Sequence, residues 1–210
     1  MIKIFAVSGY KNSGKTTLCL SLLRELTRLG VKTGYIKRTS EDIMEGGSTD
    51  TALASACGVR TLLWGPDGIR AEEPAAAPTP DELAAAWFPE AELLIVEGGK
   101  KLPLPRIWVE NGTPPEGVSG IIARYDRKSA GDGKMLFGAG DEAALARILA
   151  SSVRGRFYRS SKVYIGNRPL PMKDFIADFV RGAVIGMLAS LKGGRAENEQ
   201  IRIYIEPDRK

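Results

Sequence analysis

The sequence predicts an α/β fold, a mainly parallel sheet with flanking helices. Three observations carry that expectation. Apolar, β-branched runs such as Ile2-Lys3-Ile4-Phe5-Ala6-Val7 and Leu93-Leu94-Ile95-Val96 alternate with helix-like segments, the pattern of sheets built by helical crossovers. The run Gly9-Tyr10-Lys11-Asn12-Ser13-Gly14-Lys15-Thr16 matches G-x-x-x-x-G-K-[ST], and it sits between a strand and a helix, the context that gives this pattern meaning. At 210 residues and 43% hydrophobic, the chain is long enough to bury a sizeable core. The expected class is P-loop NTPase-type, with a small C-terminal β-α-β extension.

The elements follow in order. Strand 2–8 feeds the loop and then a helix over about 15–29, closed by Gly30. A second strand spans Thr33 to Arg38. Residues 39–49 are polar and end in Gly46-Gly47-Ser48-Thr49, a loop from which Asp50 opens a short helix to about Ala56. Val59 to Trp64 reads as a strand stopped by Gly65-Pro66-Asp67-Gly68. Residues 71–80 form a Pro/Ala-rich connection that ends in a helix start: Thr79 as N-cap, Pro80 at N1 and Glu82 at N3. Ala91 to Glu97 is a buried strand ending in a carboxylate and two glycines. Arg106 to Glu110, Gly120 to Ala123 and Lys134 to Phe137 are further strands, and Asp141 caps a helix over 142–151.

The nucleotide-binding domain is expected over 1–155 and the extension over 160–210. In the extension, a strand and turn at 162–167 precede a helix over about 172–191. Its apolar positions Ile176, Phe179, Val180, Ala183, Val184 and Met187 mark one face. Packing on the core or a partner surface accounts for that stripe. Ile201 to Ile205 alternates as a last strand.

Composition excludes several chemistries. There is no histidine, so no His-based triad, His–Zn site or His acid–base catalyst is available. The net charge of +5 suits an anionic ligand and is too weak to indicate nucleic acid. The densest basic cluster, Arg154, Arg156, Arg159 and Lys162, reads as a solvated segment. A first strand at residue 2 leaves no room for a signal peptide, and no apolar run is long enough to span a bilayer. Cys19 and Cys57 lie far apart without metal-like spacing, and both read as buried structural thiols. A cytoplasmic protein is expected.

The chemistry converges on a nucleoside triphosphate. Gly9, Asn12, Ser13, Gly14, Lys15, Thr16 and Thr17 supply a cradle of backbone N–H groups at a helix N-terminus. Lys15 is placed to reach the β- and γ-phosphates, and the Thr16 hydroxyl to ligate Mg2+. Glu97, at a strand end, is the expected second acidic group near the metal, with Asp50 as another candidate for Mg2+ or water positioning. Lys37 and Arg38 face phosphate or an anionic second substrate. No N-K-x-D guanine signature is present, and Asp126, after the strand Ile121 to Tyr125, is the nearest candidate acceptor for a guanine edge.

Three landmarks together form a family pattern. They are Gly-Tyr-Lys-Asn-Ser-Gly-Lys-Thr-Thr-Leu at 9–18, Gly47-Ser48-Thr49-Asp50-Thr51 leading to Cys57-Gly58, and Leu94-Ile95-Val96-Glu97-Gly98-Gly99-Lys100 followed by Pro103-Leu104-Pro105-Arg106-Ile107. Over about residues 1–150 the chain resembles the molybdopterin-guanine dinucleotide biosynthesis adapter protein B family. The resemblance implies a P-loop protein that binds GTP and Mg2+, hydrolyses GTP slowly and forms a homodimer. It implies partnership with the guanylyltransferase that joins GMP to molybdopterin, and with molybdopterin or its apo-enzyme acceptors. Carried over by residue, Gly14, Lys15 and Thr16 bind phosphate and Mg2+, and Asp50 and Glu97 match the family's acidic positions. One departure is Lys37-Arg38-Thr39-Ser40, where the family commonly has histidines. Two other functions remain open on these residues. One is a small-molecule kinase, against which the arginine-poor 68–80 segment argues. The other is a nucleotide-regulated scaffold acting through the 172–191 helix.

Overall fold

Residues 2–41, 43–44, 49–74, 77–110, 112–153, 161–166, 168–194 and 201–205 are described by a computed structural model. The chain divides into two compact units, Met1–Arg154 and Gly155–Lys210. In chain order the first unit contains β1 (Lys3–Gly9), α1 (Lys15–Arg28), β2 (Thr33–Lys37), α2 (Asp50–Ala56), β3 (Thr61–Gly65), β4 (Gly68–Glu72), α3 (Pro80–Trp87), β5 (Leu93–Glu97), β6 (Arg106–Val109), β7 (Ile121–Tyr125), β8 (Leu136–Phe137) and α4 (Glu142–Ser151).

Six strands form one sheet in the order β2-β5-β1-β6-β7-β8, and every neighbouring pair is parallel. Side chains alternate between faces with period two. Phe5, Val7, Ile95 and Ile107 therefore point to one face, where they pack with Leu18, Cys19 and Leu22 of α1 and with Leu145 and Leu149 of α4. Ile2, Ile4, Leu94 and Val96 point to the other, against Ala84 of α3. Burial on both faces explains why β1 and β5 read as continuous apolar runs. Each such side chain contributes roughly 1.5–3 kcal/mol.

Parallel register brings the carboxyl ends to one edge. Val7 and Lys37 flank Glu97 on either side, and Gly9 lies opposite Val109. The α1-facing row thus ends in functional groups: Lys37 on β2, Glu97 on β5 and Gly9 on β1. An α/β sheet presents its ligand site at this edge.

The first unit departs from the sequence expectation in three places. Thr61–Gly65 is not a strand of the main sheet but pairs antiparallel with Gly68–Glu72 in a separate hairpin. Gly65 pairs with Gly68 across the two-residue turn Pro66-Asp67, so this run is a hairpin rather than a stop, and the expected 71–80 connection begins inside β4. The hairpin leaves Leu62, Trp64 and Ile69 exposed. Asp141 occupies the N-cap position of α4 without a side-chain cap bond. Its Oδ2 instead accepts Gly138 N–H at 2.8 Å. Cys57 is exposed rather than buried, because α2 is a short helix covered on one side only.

The second unit holds the hairpin β9 (Tyr164–Ile165) and β10 (Arg168–Pro169), then α5 (Asp174–Ala189). Residues 201–205 carry no strand, so the described extension is a hairpin and a helix rather than β-α-β. Alternation alone does not make a strand without a partner edge, and two-residue strands offer little ladder. Within α5 only Ala177 is buried, while Phe175, Phe179 and Met187 are exposed. Gly46, Gly47 and Ser48, Arg154, Arg156 and Arg159, and Asn167 lie outside the described residues. Among those described, no helix is long and apolar enough to cross a membrane.

The sheet tolerates no side chain at Gly34 of β2. A Cβ there would lie 2.4 Å from Leu94 Cδ2 and 2.5 Å from Phe88 Cδ1. Gly34→Ala should therefore destabilise the first unit by about 1–3 kcal/mol through overpacking, read as a lowered urea midpoint. An unchanged midpoint would show that Gly34 does not meet Leu94 and Phe88 this closely.

Candidate functional site

The loop after β1 is shaped by residues that leave its backbone bare. A Cβ on Gly9 would meet Ser13 Oγ at 2.7 Å and Val109 O at 2.8 Å, so glycine is required for the loop to fold back on β6. Asn12 (φ 61) and Gly14 (φ 91) are left-handed, a conformation glycine and asparagine adopt most readily. Gly14 is the N-cap of α1 with no side-chain cap bond. The first helical bond runs from Leu18 N–H to Gly14 O at 3.0 Å. The N–H groups of Lys15, Thr16 and Thr17 therefore lack intrahelical acceptors and face the loop with the positive end of the helix dipole. Ser13 Oγ is buried with no hydrogen-bond partner among the described residues.

Tyr10 anchors this loop. Its hydroxyl donates to Thr113 O at 2.7 Å, and its ring meets Trp108 edge-on at 5.7 Å between centroids. Lys100 Nζ lies 4.5 Å above the same ring, a cation–π contact.

Glu97 is the electrostatic centre. It is 5% exposed. Oε1 accepts the Thr16 hydroxyl at 2.8 Å, and Oε2 accepts the Tyr35 hydroxyl at 2.7 Å. Lys15 Nζ donates to Tyr10 O across the mouth of the loop. Burial lowers the Lys15 pKa; Glu97 opposes that shift, and Lys100 and Lys37 add to it. Lys15 thus feels one carboxylate and two further lysines. Behind them, burial and the Glu97 charge push the Cys19 thiol up to about 12.

The other expected residues are placed as follows. Lys37 ends β2 in register with Glu97. Asp50 is the first residue of α2, which Thr49 caps through Ala52 N–H at 3.2 Å. Among the described residues no hydrogen bond or ion pair joins Asp50 to Thr16 or Glu97. Asp126 follows β7 at the same sheet edge and shapes its own turn. Its Oδ2 accepts the Ser129 hydroxyl at 2.5 Å and its Oδ1 accepts Lys128 N–H at 2.9 Å. Those bonds, the Ser129 one foremost, hold its carboxyl below the usual range.

Sequence reasoning missed Tyr35 and gave Arg106 no role beyond the family pattern. Arg106 is 1% exposed. Its Nε donates to Ser119 O at 2.6 Å, and Nη1 donates to Lys100 O at 2.7 Å and to Gly99 O and Ser8 Oγ at 3.3 Å. Nη2 reaches Leu102 O. The guanidinium thus pins the turn that follows Glu97. Gly98 (φ 94) and Gly99 (φ 61) make that turn, and a Cβ on Gly98 would lie 2.8 Å from Arg38 O. A lone arginine inside an apolar strand was the available signal, since such a charge needs internal acceptors.

A bare phosphate-cradling turn, set on a parallel sheet beside a buried strand-end carboxylate, defines a P-loop nucleotide-binding fold. Residues 4–116 match the family described as molybdopterin guanine dinucleotide synthesis protein B. The match spans more than half of the chain, and the chain belongs to that family, which works in molybdenum cofactor biosynthesis. Solved structures agree on the fold. MobB of Bacillus subtilis is 22% identical with a TM-score of 0.57, covering 74% of this chain and 100% of that one. A MobB homolog from Bacillus stearothermophilus is 21% identical with a TM-score of 0.53, covering 73% and 99%. A molybdopterin-guanine biosynthesis protein B is 21% identical with a TM-score of 0.56, covering 71% and 99%. No curated protein matches the chain.

Two measurements test this geometry. Arg106→Lys keeps a charge but loses the fork that reaches several carbonyls; it should cost on the order of 2–4 kcal/mol, seen in urea unfolding, and an unchanged midpoint would contradict the pinning role. Of the two thiols, only exposed Cys57 should react with a disulfide reagent in the native protein at pH 8. Cys19 stays protonated and shielded there, so both react only after denaturation. Two fast-reacting native thiols would contradict the packing of α1.

Proposed function

We propose that this protein is a GTP-binding, slowly hydrolysing adapter. It assists a guanylyltransferase that joins GMP to molybdopterin and forms the guanine dinucleotide of the molybdenum cofactor. The observation that carries nucleotide binding is the bare helix N-terminus at Lys15–Thr17, with Lys37 and Lys100 close enough to act on Lys15. A polyphosphate would accept from those N–H groups and replace Tyr10 O as the partner of Lys15. Lys37 would add charge at the rim.

The donor set fits Mg2+, a hard cation that takes one or two protein oxygens and completes its shell with phosphate and water. Thr16 Oγ1 would hold it, with Glu97 behind and Asp50 brought in from the α2 loop. When bound, it would neutralise charge on the phosphates. Each Glu97 oxygen already holds a protein hydroxyl, so in this reading the carboxylate serves the loop and the metal rather than an attacking water. This supports slow turnover by the protein alone, with binding as the signal. Asp126 would read the guanine N1 and N2 donors with the remaining lone pairs of its carboxylate.

Catalytic and nucleotide-binding residues fall within 1–155 in this reading, and 160–210 is a separate unit. The cytoplasmic homodimer completes the proposal, with the guanylyltransferase and molybdopterin or its apo-enzyme acceptors as partners. The exposed Phe175, Phe179 and Met187 of α5 favour one addition from the scaffold alternative, a protein-contact role for the second unit.

Fluorescent GTP and ATP analogues with Mg2+ test this reading in wild type and Lys15→Ala. We expect GTP to bind more tightly, the variant to lose at least about 10-fold in affinity, and phosphate release without partner to be slow. ATP preference with rapid transfer to a small acceptor would replace the adapter with a kinase.

A further inference from the structure

We propose that Tyr35 is a positioning residue of this site, acting through Glu97 to keep Lys15 free for phosphate. The proposal rests on the nucleotide-binding reading above.

The geometry begins in the sheet. Tyr35 is in register with Ile95, and Lys37 with Glu97. Tyr35 and Glu97 are therefore diagonal neighbours on adjacent strands, a separation that an aromatic side chain spans. Both belong to the α1-facing row, and the Tyr35 ring packs against the core beneath α1. A ring held there has little freedom to turn its hydroxyl elsewhere. The phenol is a permanent donor, since burial first, and then the bond to Glu97, push its pKa up.

The consequence concerns Lys15. A buried carboxylate beside an ammonium ordinarily pairs with it. Here Lys15 donates to Tyr10 O, while Glu97 is taken at Oε1 by Thr16 and at Oε2 by Tyr35. Two neutral hydroxyls satisfy the carboxylate without consuming a cation. The Thr16 proton is committed to Glu97, which leaves the lone pairs of Oγ1 directed elsewhere and available to a cation.

Removing the phenol oxygen leaves Oε2 without its donor at a site that water hardly reaches. Glu97 must then recruit another donor, and Lys15 is a cation that feels its charge. Pairing with Lys15 would withdraw the ammonium from phosphate and turn Oε1 away from Thr16.

The test uses the full chain as wild type, Tyr35→Phe, Glu97→Gln and the double variant. It measures affinity for a fluorescent GTP analogue with Mg2+ and with EDTA, alongside thermal unfolding. Tyr35→Phe should lose on the order of 10-fold in affinity with Mg2+, and lose less in EDTA. In the Glu97→Gln background the same substitution should add little further loss, because its target is gone. A lowered unfolding midpoint with wild-type affinity, or losses that add fully in the double variant, would overturn the positioning role. Wild type that binds no nucleotide would fell the functional reading and this proposal with it, whereas normal wild-type binding with an unaffected Tyr35→Phe would fell this proposal alone.

Discussion

The carboxylate of Glu97 is the constraint on which the site depends. It is buried at the end of a central strand, a costly place for a charge without hydrogen bonds. Its two acceptors are met by hydroxyls from two different elements, Thr16 of α1 and Tyr35 of β2. The carboxylate therefore ties the first turn of α1 to the strand on its other side. The P-loop helix, the edge strand and the central strand are fixed relative to one another at the point where a phosphate would arrive. Satisfaction by neutral groups also leaves Lys15 unpaired with the carboxylate, its ammonium donating to Tyr10 O instead.

A second constraint supports the first. The turn after Glu97 runs through two left-handed glycines, and its carbonyls converge on the buried Arg106 guanidinium. Ser8 links the two, since its hydroxyl donates to Gly98 O at 2.8 Å and accepts from Arg106. The same turn carries Lys100 over the Tyr10 ring and so presses on the P-loop from outside. Arg106 accordingly acts at a distance: it shapes a backbone that positions Glu97 on one side and Tyr10 on the other. Its acceptors are backbone carbonyls and one hydroxyl, so among the described residues the cation is held without a carboxylate partner.

Much of this architecture was legible in the sequence because it depends on local rules. The glycines at 9 and 14, the Thr79–Glu82 capping box and the period-two runs of β1 and β5 each specify their element from near neighbours. The capping box is present with both of its bonds. What was not legible depends on strand order. Tyr35 reads as an ordinary β-forming aromatic until β2 is known to lie beside β5, in a register that brings its hydroxyl to Glu97. The Gly65-Pro66-Asp67-Gly68 run permits either a stop or a hairpin, and only pairing of Leu62 and Leu63 with Ala71 and Arg70 decides it. Ile201 to Ile205 has the alternation of a strand, but alternation does not supply a partner.

The most direct measurement of the central claim is the structure of the complex with Mg2+ and a non-hydrolysable GTP analogue. The account predicts the β- and γ-phosphates within the 9–16 loop, Lys15 Nζ moved from Tyr10 O onto phosphate, and Glu97 still holding both hydroxyls. A nucleotide bound away from this loop, or Lys15 paired with Glu97 in the complex, would contradict it.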